Sequence, residues 1–120
     1  MLHKIALTEA LARFDERWSP KVIGEVNDTS IKLVKLEGDF VWHRHEVEDE
    51  LFLVLAGRLT MKLRDGDLEL GPGELVVVPR GVEHCPCAAE ECSVMLVEPR
   101  TTLNTGDAGG PRTVRELERL

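Results

Sequence analysis

Apolar residues recur at helical spacing only once in the chain. Leu7, Leu11, Phe14 and Trp18 recur every three or four residues, Ala10 sits beside them, and Glu9, Arg13, Asp15, Glu16 and Arg17 fall mainly on the other side. The pattern predicts one amphipathic helix within residues 5–18, with its turns from about residue 8 to 18. Thr8 would cap its start and Ser19-Pro20 would stop it. Its expected role is to cover an open face or edge of a sheet.

From Val22 the period changes. Short β-rich runs follow at Val22–Val26, Ile31–Leu36, Phe40–His45, Leu51–Leu55, Leu59–Leu63, Leu68–Leu70, Leu75–Val78, Val82–Cys87 and Ser93–Val97, most of them closed by Gly, Asp, Asn or Pro. No interval between them holds a crossover helix, so a parallel βαβ fold is excluded and an antiparallel sandwich or barrel is expected. One domain over residues 1–120 is expected, with a core barrel at about 21–98. The tail, 99–120, is rich in Thr, Gly and Asn and reads as loop, with a short helical turn near Val114–Leu120. Pro86, which has no N–H to give, suggests an edge position for its strand.

Composition narrows the class of function. The chain is globular in makeup, 42% hydrophobic and 31% charged, with a formal net charge of −7. That charge argues against a general nucleic-acid backbone binder. No apolar run approaches the roughly 18 residues of a membrane span, and the N-terminus lacks a signal peptide's long apolar region. The expected location is the cytoplasm. Cys85, Cys87 and Cys92 are too few and too bunched for a disulfide framework and read as reduced, packed thiols.

Candidate chemistry lies in the histidines. His43 and His45 are two apart in a strand-like run, so both face one way with Cα atoms about 6.6 Å apart, while Trp42 and Arg44 face away. The acidic run 46–50 follows. A turn across residues 46–49 would bring Glu50 back to the same side, with Asp49 as the alternative carboxylate. His84 follows the Pro79-Arg80-Gly81 turn. Three imidazoles and one carboxylate suit divalent Fe, Mn, Zn, Ni, Co or Cu, and not the oxygen-seeking Ca or Mg. With a divalent ion this set sums to one positive charge and favours an anionic or polar small-molecule ligand. Arg44 and Arg80 are expected to pair with acidic neighbours or face solvent.

Two spaced patterns carry a resemblance. Gly38-x4-His43-x-His45-x4-Glu50-x6-Gly57 resembles the first motif of the cupin superfamily, with the opening glycine one residue nearer the first histidine than usual. Gly73-x5-Pro79-x-Gly81-x2-His84 resembles the second, with Ala88 where the family often has Asn. The resemblance implies an all-β, double-stranded β-helix fold (a cupin or jelly-roll barrel) with a short N-terminal helix. It implies metal-ligand roles for His43, His45, Glu50 and His84, and turn roles for Gly57, Gly73, Pro79 and Gly81. Homodimers are frequent in the family, and a barrel with exposed β edges gains from pairing. Small stand-alone members often carry the loose label "mannose-6-phosphate isomerase-like", a fold-level analogy.

The functional expectation is a metal-dependent enzyme on a small polar or anionic metabolite, with Glu50 both ligand and acid/base. Oxygenation leads; isomerisation and lyase chemistry on a sugar phosphate or keto acid follow. The alternative class is a non-catalytic module that binds or senses a small ligand. There is no P-loop and no Gly-x-Ser-x-Gly elbow, so neither nucleotide cradling nor serine-triad chemistry has support.

Overall fold

A computed structural model describes residues 2–120. It contains one short helix, α1 (Leu7–Leu11), and eight strands: β1 (Lys21–Val26), β2 (Thr29–Asp39), β3 (Glu50–Ala56), β4 (Leu59–Leu63), β5 (Gly66–Leu70), β6 (Leu75–Val78), β7 (His84–Pro99) and β8 (Glu118–Arg119). The all-β cupin barrel with a short N-terminal helix is what the motifs implied. The pairing path runs β5-β4-β7-β2-β1-β8, and β3 bridges β7 to β6.

The hub is β7. The two predicted strands Val82–Cys87 and Ser93–Val97 fall, from His84 onward, within this single 16-residue strand, with Val82 and Glu83 preceding it. Its first half pairs β4 from Leu63↔His84 to Thr60↔Cys87, and its second half pairs β3 from Ala56↔Ser93 to Leu51↔Val97. Along its other edge β2 follows it, with an irregularity between Leu36 and Gly38. Pro86 is therefore not at a sheet edge. Met61 of β4 lies across from it on one side, and on the other its carbonyl accepts the Phe40 N–H at 3.0 Å. Val34, Leu36, Phe52, Val54, Leu59, Met61, Val94 and Leu96 fill the barrel, all at alternate inward positions.

Three further expectations are corrected. The helix ends at Leu11 instead of Trp18, and Ala6, not Thr8, is its N-cap, without a side-chain cap. The apolar spacing was real but served two places. Ala10 and Phe14 cover Leu33 on the outside of the sheet, whereas Trp18 enters the barrel cluster. One straight helix cannot feed both, so the chain breaks, and Trp18 takes φ 61°. The Phe40–His45 run continues no ladder. It meets β7 only through the Phe40 N–H to Pro86 carbonyl bond and the His43↔His84 bridge. The tail forms no helical turn at Val114–Leu120; β8 pairs parallel to β1, Lys21↔Glu118 and Val22↔Arg119. Among the described residues no helix is long and apolar enough to cross a membrane.

Gly57 shows why its motif position needs glycine. It has φ 83°, and an added Cβ would lie 2.7 Å from the Glu91 carbonyl oxygen where β7 bends. Gly81 has a similar φ of 82° but open space around it. Gly57→Ala is expected to cost about 1–3 kcal/mol more than Gly81→Ala in urea unfolding, since only the first adds a backbone collision to the left-handed strain. Equal losses would show that the close approach at Gly57 is immaterial.

Candidate metal centre

Local pairing brings the four candidates together. His43 and His84 sit directly opposite each other, each N–H donating to the other's carbonyl, at 3.0 and 2.9 Å. His45, two residues on, shares the inward side with His43, while Arg44 between them is exposed. The chain bends at residues 46–47 and re-enters as β3 with Glu50 as its first residue. The turn before His84 is tied to the same segment: Gly81 N–H donates to the His45 carbonyl at 2.8 Å, and Arg80 N–H donates to the Asp49 carboxylate at 2.9 Å.

One ligand atom from each of His43, His45, Glu50 and His84 lies within 4.8 Å of the others, and all four residues are buried. Asp49, the alternative carboxylate, is exposed and occupied by Arg80. Arg44 pairs with Glu46 at 2.8 Å and lies 3.7 Å from Asp107, so both arginines have acidic partners. Cys85 and Cys87 are not part of the cluster, and their sulfurs lie 3.8 Å apart. Burial pushes Cys87 up to about 12 and Cys92 up to about 11, so neither is a ready thiolate.

The donor set fits a metal ion. The Nδ1 atoms of His43 and His84 donate to the carbonyls of Val41 and Val82, each at 2.9 Å, which leaves Nε2 of both rings as the lone-pair nitrogen. Burial, then the neighbouring His84, lowers His43 to about 4, so its ring is neutral at pH 7. Burial would raise the Glu50 carboxyl, but its His45 and Glu98 neighbours, which favour the charged form, outweigh it and hold it below its ordinary value, as a carboxylate. His45 Nε2 and His84 Nε2 stand 3.3 and 3.4 Å from Glu50 Oε1. None of these three atoms has a hydrogen-bond partner, although all are buried. Orphaned polar atoms of this kind are costly unless something binds them.

Two contributions escaped the sequence reading. Glu98 is 2% exposed, and its Oε2 lies 3.6 Å from Nζ of the equally buried Lys32. The β3–β7 register, continued one step beyond Leu51↔Val97, sets Glu98 beside Glu50. Burial and the Glu50 charge raise the Glu98 carboxyl well above its usual range. The signal was available: Lys32 and Glu98 both occupy inward positions, alternating with Val34 and with Val94 and Leu96. The second contribution is the tail. Asp107 accepts the Arg44 N–H at 2.9 Å and donates its own N–H back to the Arg44 carbonyl at 3.1 Å. Gly106 packs so closely that a Cβ there would collide with the Arg44 carbonyl and lie 3.0 Å from His43 Cδ2.

A small β-barrel that closes around a buried cluster of three histidines and one glutamate is the architecture of a cupin. The Cupin domain family matches residues 32–98, and the chain belongs to that family. A crystal structure of a cupin-2 domain containing protein from Shewanella frigidimarina is 49% identical, with a TM-score of 0.79 over 80% of this chain and 94% of that one. Protein NMB1881 from Neisseria meningitidis is 34% identical, with a TM-score of 0.73 over 81% of this chain and 99% of that one. The uncharacterized protein YdbB of Bacillus subtilis (strain 168) is 36% identical over 63 residues, 52% of this chain and 56% of that protein. The chain thus matches little more than half of that relative's length.

The tail's grip on the histidine segment gives a direct test. Gly106→Ala is expected to weaken divalent-metal affinity about 10–100-fold, the range for changes behind a ligand. Gly109→Ala, with φ 63° but nothing within 4 Å of its Cβ, should leave affinity unchanged. Equal affinity of the two variants by competitive chelator titration would remove the tail from the site.

Proposed function

We propose that His43, His45, Glu50 and His84 hold one divalent transition-metal ion and that the protein is a metal-dependent enzyme acting on a small molecule bound beside it. The observation that carries this reading is the set of buried, unpartnered ligand atoms on His45, Glu50 and His84. When bound, such an ion supplies Lewis acidity, which lowers the pKa of a coordinated group, and redox chemistry if it is iron, manganese or copper. The chain's own residues do the rest. His43 and His84 are oriented through Nδ1. Glu50 is a carboxylate able to take a proton at Oε1, so it serves as ligand and base. The apolar barrel interior excludes bulk water. Oxygenation is the leading reaction class, ahead of isomerisation and lyase chemistry.

Protein stripped with chelator is expected to gain thermal stability with Fe(II), Mn(II), Co(II), Ni(II) or Zn(II), about 2.7 kcal/mol at a hundredfold excess over Kd, and none with Mg(II) or Ca(II). His84→Ala should abolish the gain, and oxygen uptake by iron-loaded protein against a metabolite panel should require both His43 and His84. Turnover that survives His43→Ala with His84→Ala contradicts the enzyme reading. Saturable ligand binding with no product would support a non-catalytic binding module instead.

We also propose a homodimer. Leu75 and Val77 of the edge strand β6 are 56% and 50% exposed, and their cross-strand partners Leu53 and Leu51, with Val97 and Ile31 beyond, continue one apolar outer face. Light scattering should give twice the 13.4 kDa chain mass; a monomer mass contradicts the pairing.

A further inference from the structure

The space that opens onto His43 and Glu50 is walled by hydrocarbon. Trp18, Phe40, Phe52, Leu36, Leu96 and Asn104 line it, completed by two prolines and a valine. Its only ionisable wall groups are the two candidate ligands, and no lysine or arginine takes part. The polar groups that do occur there are largely engaged within the protein. The Trp18 indole N–H donates to the Glu37 carbonyl at 3.0 Å. The Asn104 amide N–H donates to the Arg112 carbonyl at 2.8 Å, and its oxygen accepts the Val114 N–H at 2.9 Å. Beyond the His/Glu cluster, the side-chain donor left to a ligand among these groups is the second N–H of the Asn104 amide.

The space is narrow and partly open to solvent. Trp18 sets one wall and is fixed there. Its backbone N–H donates to the Lys35 carbonyl at 2.8 Å, and its ring stacks on Phe40 at 4.7 Å and 11°. Phe40 meets the His43 ring edge-on at 5.4 Å. A left-handed backbone at a tryptophan is strained, and it persists because these contacts over-determine it. Arg112 lies over the Trp18 ring, 5.0 Å from its centroid, and is not part of the wall.

The geometry points to a ligand with a compact polar head at the His43–His45–Glu50–His84 cluster and a short apolar body free of phosphate, with Trp18 the side chain that limits the body's length. This inference rests on the metal-centre reading and narrows it. A sugar phosphate would bury a dianion against hydrocarbon with no cation to receive it. The anionic character expected from the sequence belongs to the head alone. Selectivity comes from shape: a pocket of this kind rejects by size and by stranded charge, not by hydrogen bonds to the body.

The test uses three hydroxamic acids that share one metal-binding head. Full-length protein loaded with Co(II) is titrated with acetohydroxamate, benzohydroxamate and phosphonoacetohydroxamate, and binding is read from the visible cobalt bands. Acetohydroxamate should bind, and phosphonoacetohydroxamate should bind at least about tenfold more weakly. Trp18→Ala should tighten benzohydroxamate by about tenfold or more while changing acetohydroxamate less than about threefold. If that variant does not fold, Trp18→Phe should show the same gain at smaller size, roughly threefold. Phosphonoacetohydroxamate binding as tightly as acetohydroxamate overturns this inference and leaves the metal centre standing. No gain for benzohydroxamate in either variant overturns the role of Trp18. Failure of the protein to bind Co(II) overturns the metal-centre reading and this inference with it, whereas bound Co(II) whose bands are indifferent to acetohydroxamate overturns this inference alone.

Discussion

Two backbone hydrogen bonds between His43 and His84 hold the site together. Forty residues lie between these positions in sequence, and the bridge ties the short segment carrying His43 and His45 to the first residue of the long strand β7. Because the two residues are direct cross-strand partners, their side chains leave the backbone on the same side and their rings lie 4.3 Å apart. Everything else at the site is arranged around this pair. His45 follows by alternation, Gly81 anchors the approach to His84 by bonding the His45 carbonyl, and Asp107 clamps Arg44 between the two histidines. Loss of the bridge would separate the ligands without altering one of them.

The barrel carries this cluster at a cost. Three imidazoles and a carboxylate are withdrawn from water, and a second buried pair, Lys32 with Glu98, lies alongside. A well-packed apolar interior would be more stable, whereas removing one member of a buried ion pair typically costs about 3–5 kcal/mol. Lys32 and Glu98 therefore do not explain the fold's stability. They explain how Glu50 keeps its surroundings: Glu98, raised by burial and by Glu50 itself, is held on its far side by Lys32. The polar interior is confined to this row and the histidines. Next to it the barrel is hydrocarbon, and this abrupt boundary gives the site its expected preference for a ligand with a polar head and an apolar body.

Much of this was legible in the residues. The spacing of glycines and histidines implied the barrel, and alternation placed His43 and His45 on one side with Trp42 and Arg44 on the other. The need for a turn between His45 and Glu50 also followed from strand parity. The failures share a cause. Helical spacing over residues 5–18 counted Phe14 and Trp18 as one stripe, but they belong to separate clusters on opposite sides of the sheet. Phe40–His45 has strand composition, but its pairing with β7 is limited to the Phe40 N–H to Pro86 carbonyl bond and the His43↔His84 bridge. Val82–Cys87 and Ser93–Val97 looked like two strands because the polar stretch Ala89–Glu91 reads as a turn, whereas it is the exposed outer bend of β7. Pro86 looked like an edge residue, yet it sits between β4 and the run that follows β2. Tail contacts at Asn104, Gly106 and Asp107 had no local pattern, since they depend on where the chain returns.

The most direct test of the account is X-ray diffraction from crystals of the metal-loaded protein, with data collected on both sides of the metal's absorption edge. The account expects a single anomalous peak about 2.0–2.2 Å from one nitrogen of each of His43, His45 and His84 and from a Glu50 carboxylate oxygen. An ion bound elsewhere, or a fully loaded crystal in which these four side chains contact only one another, would contradict it.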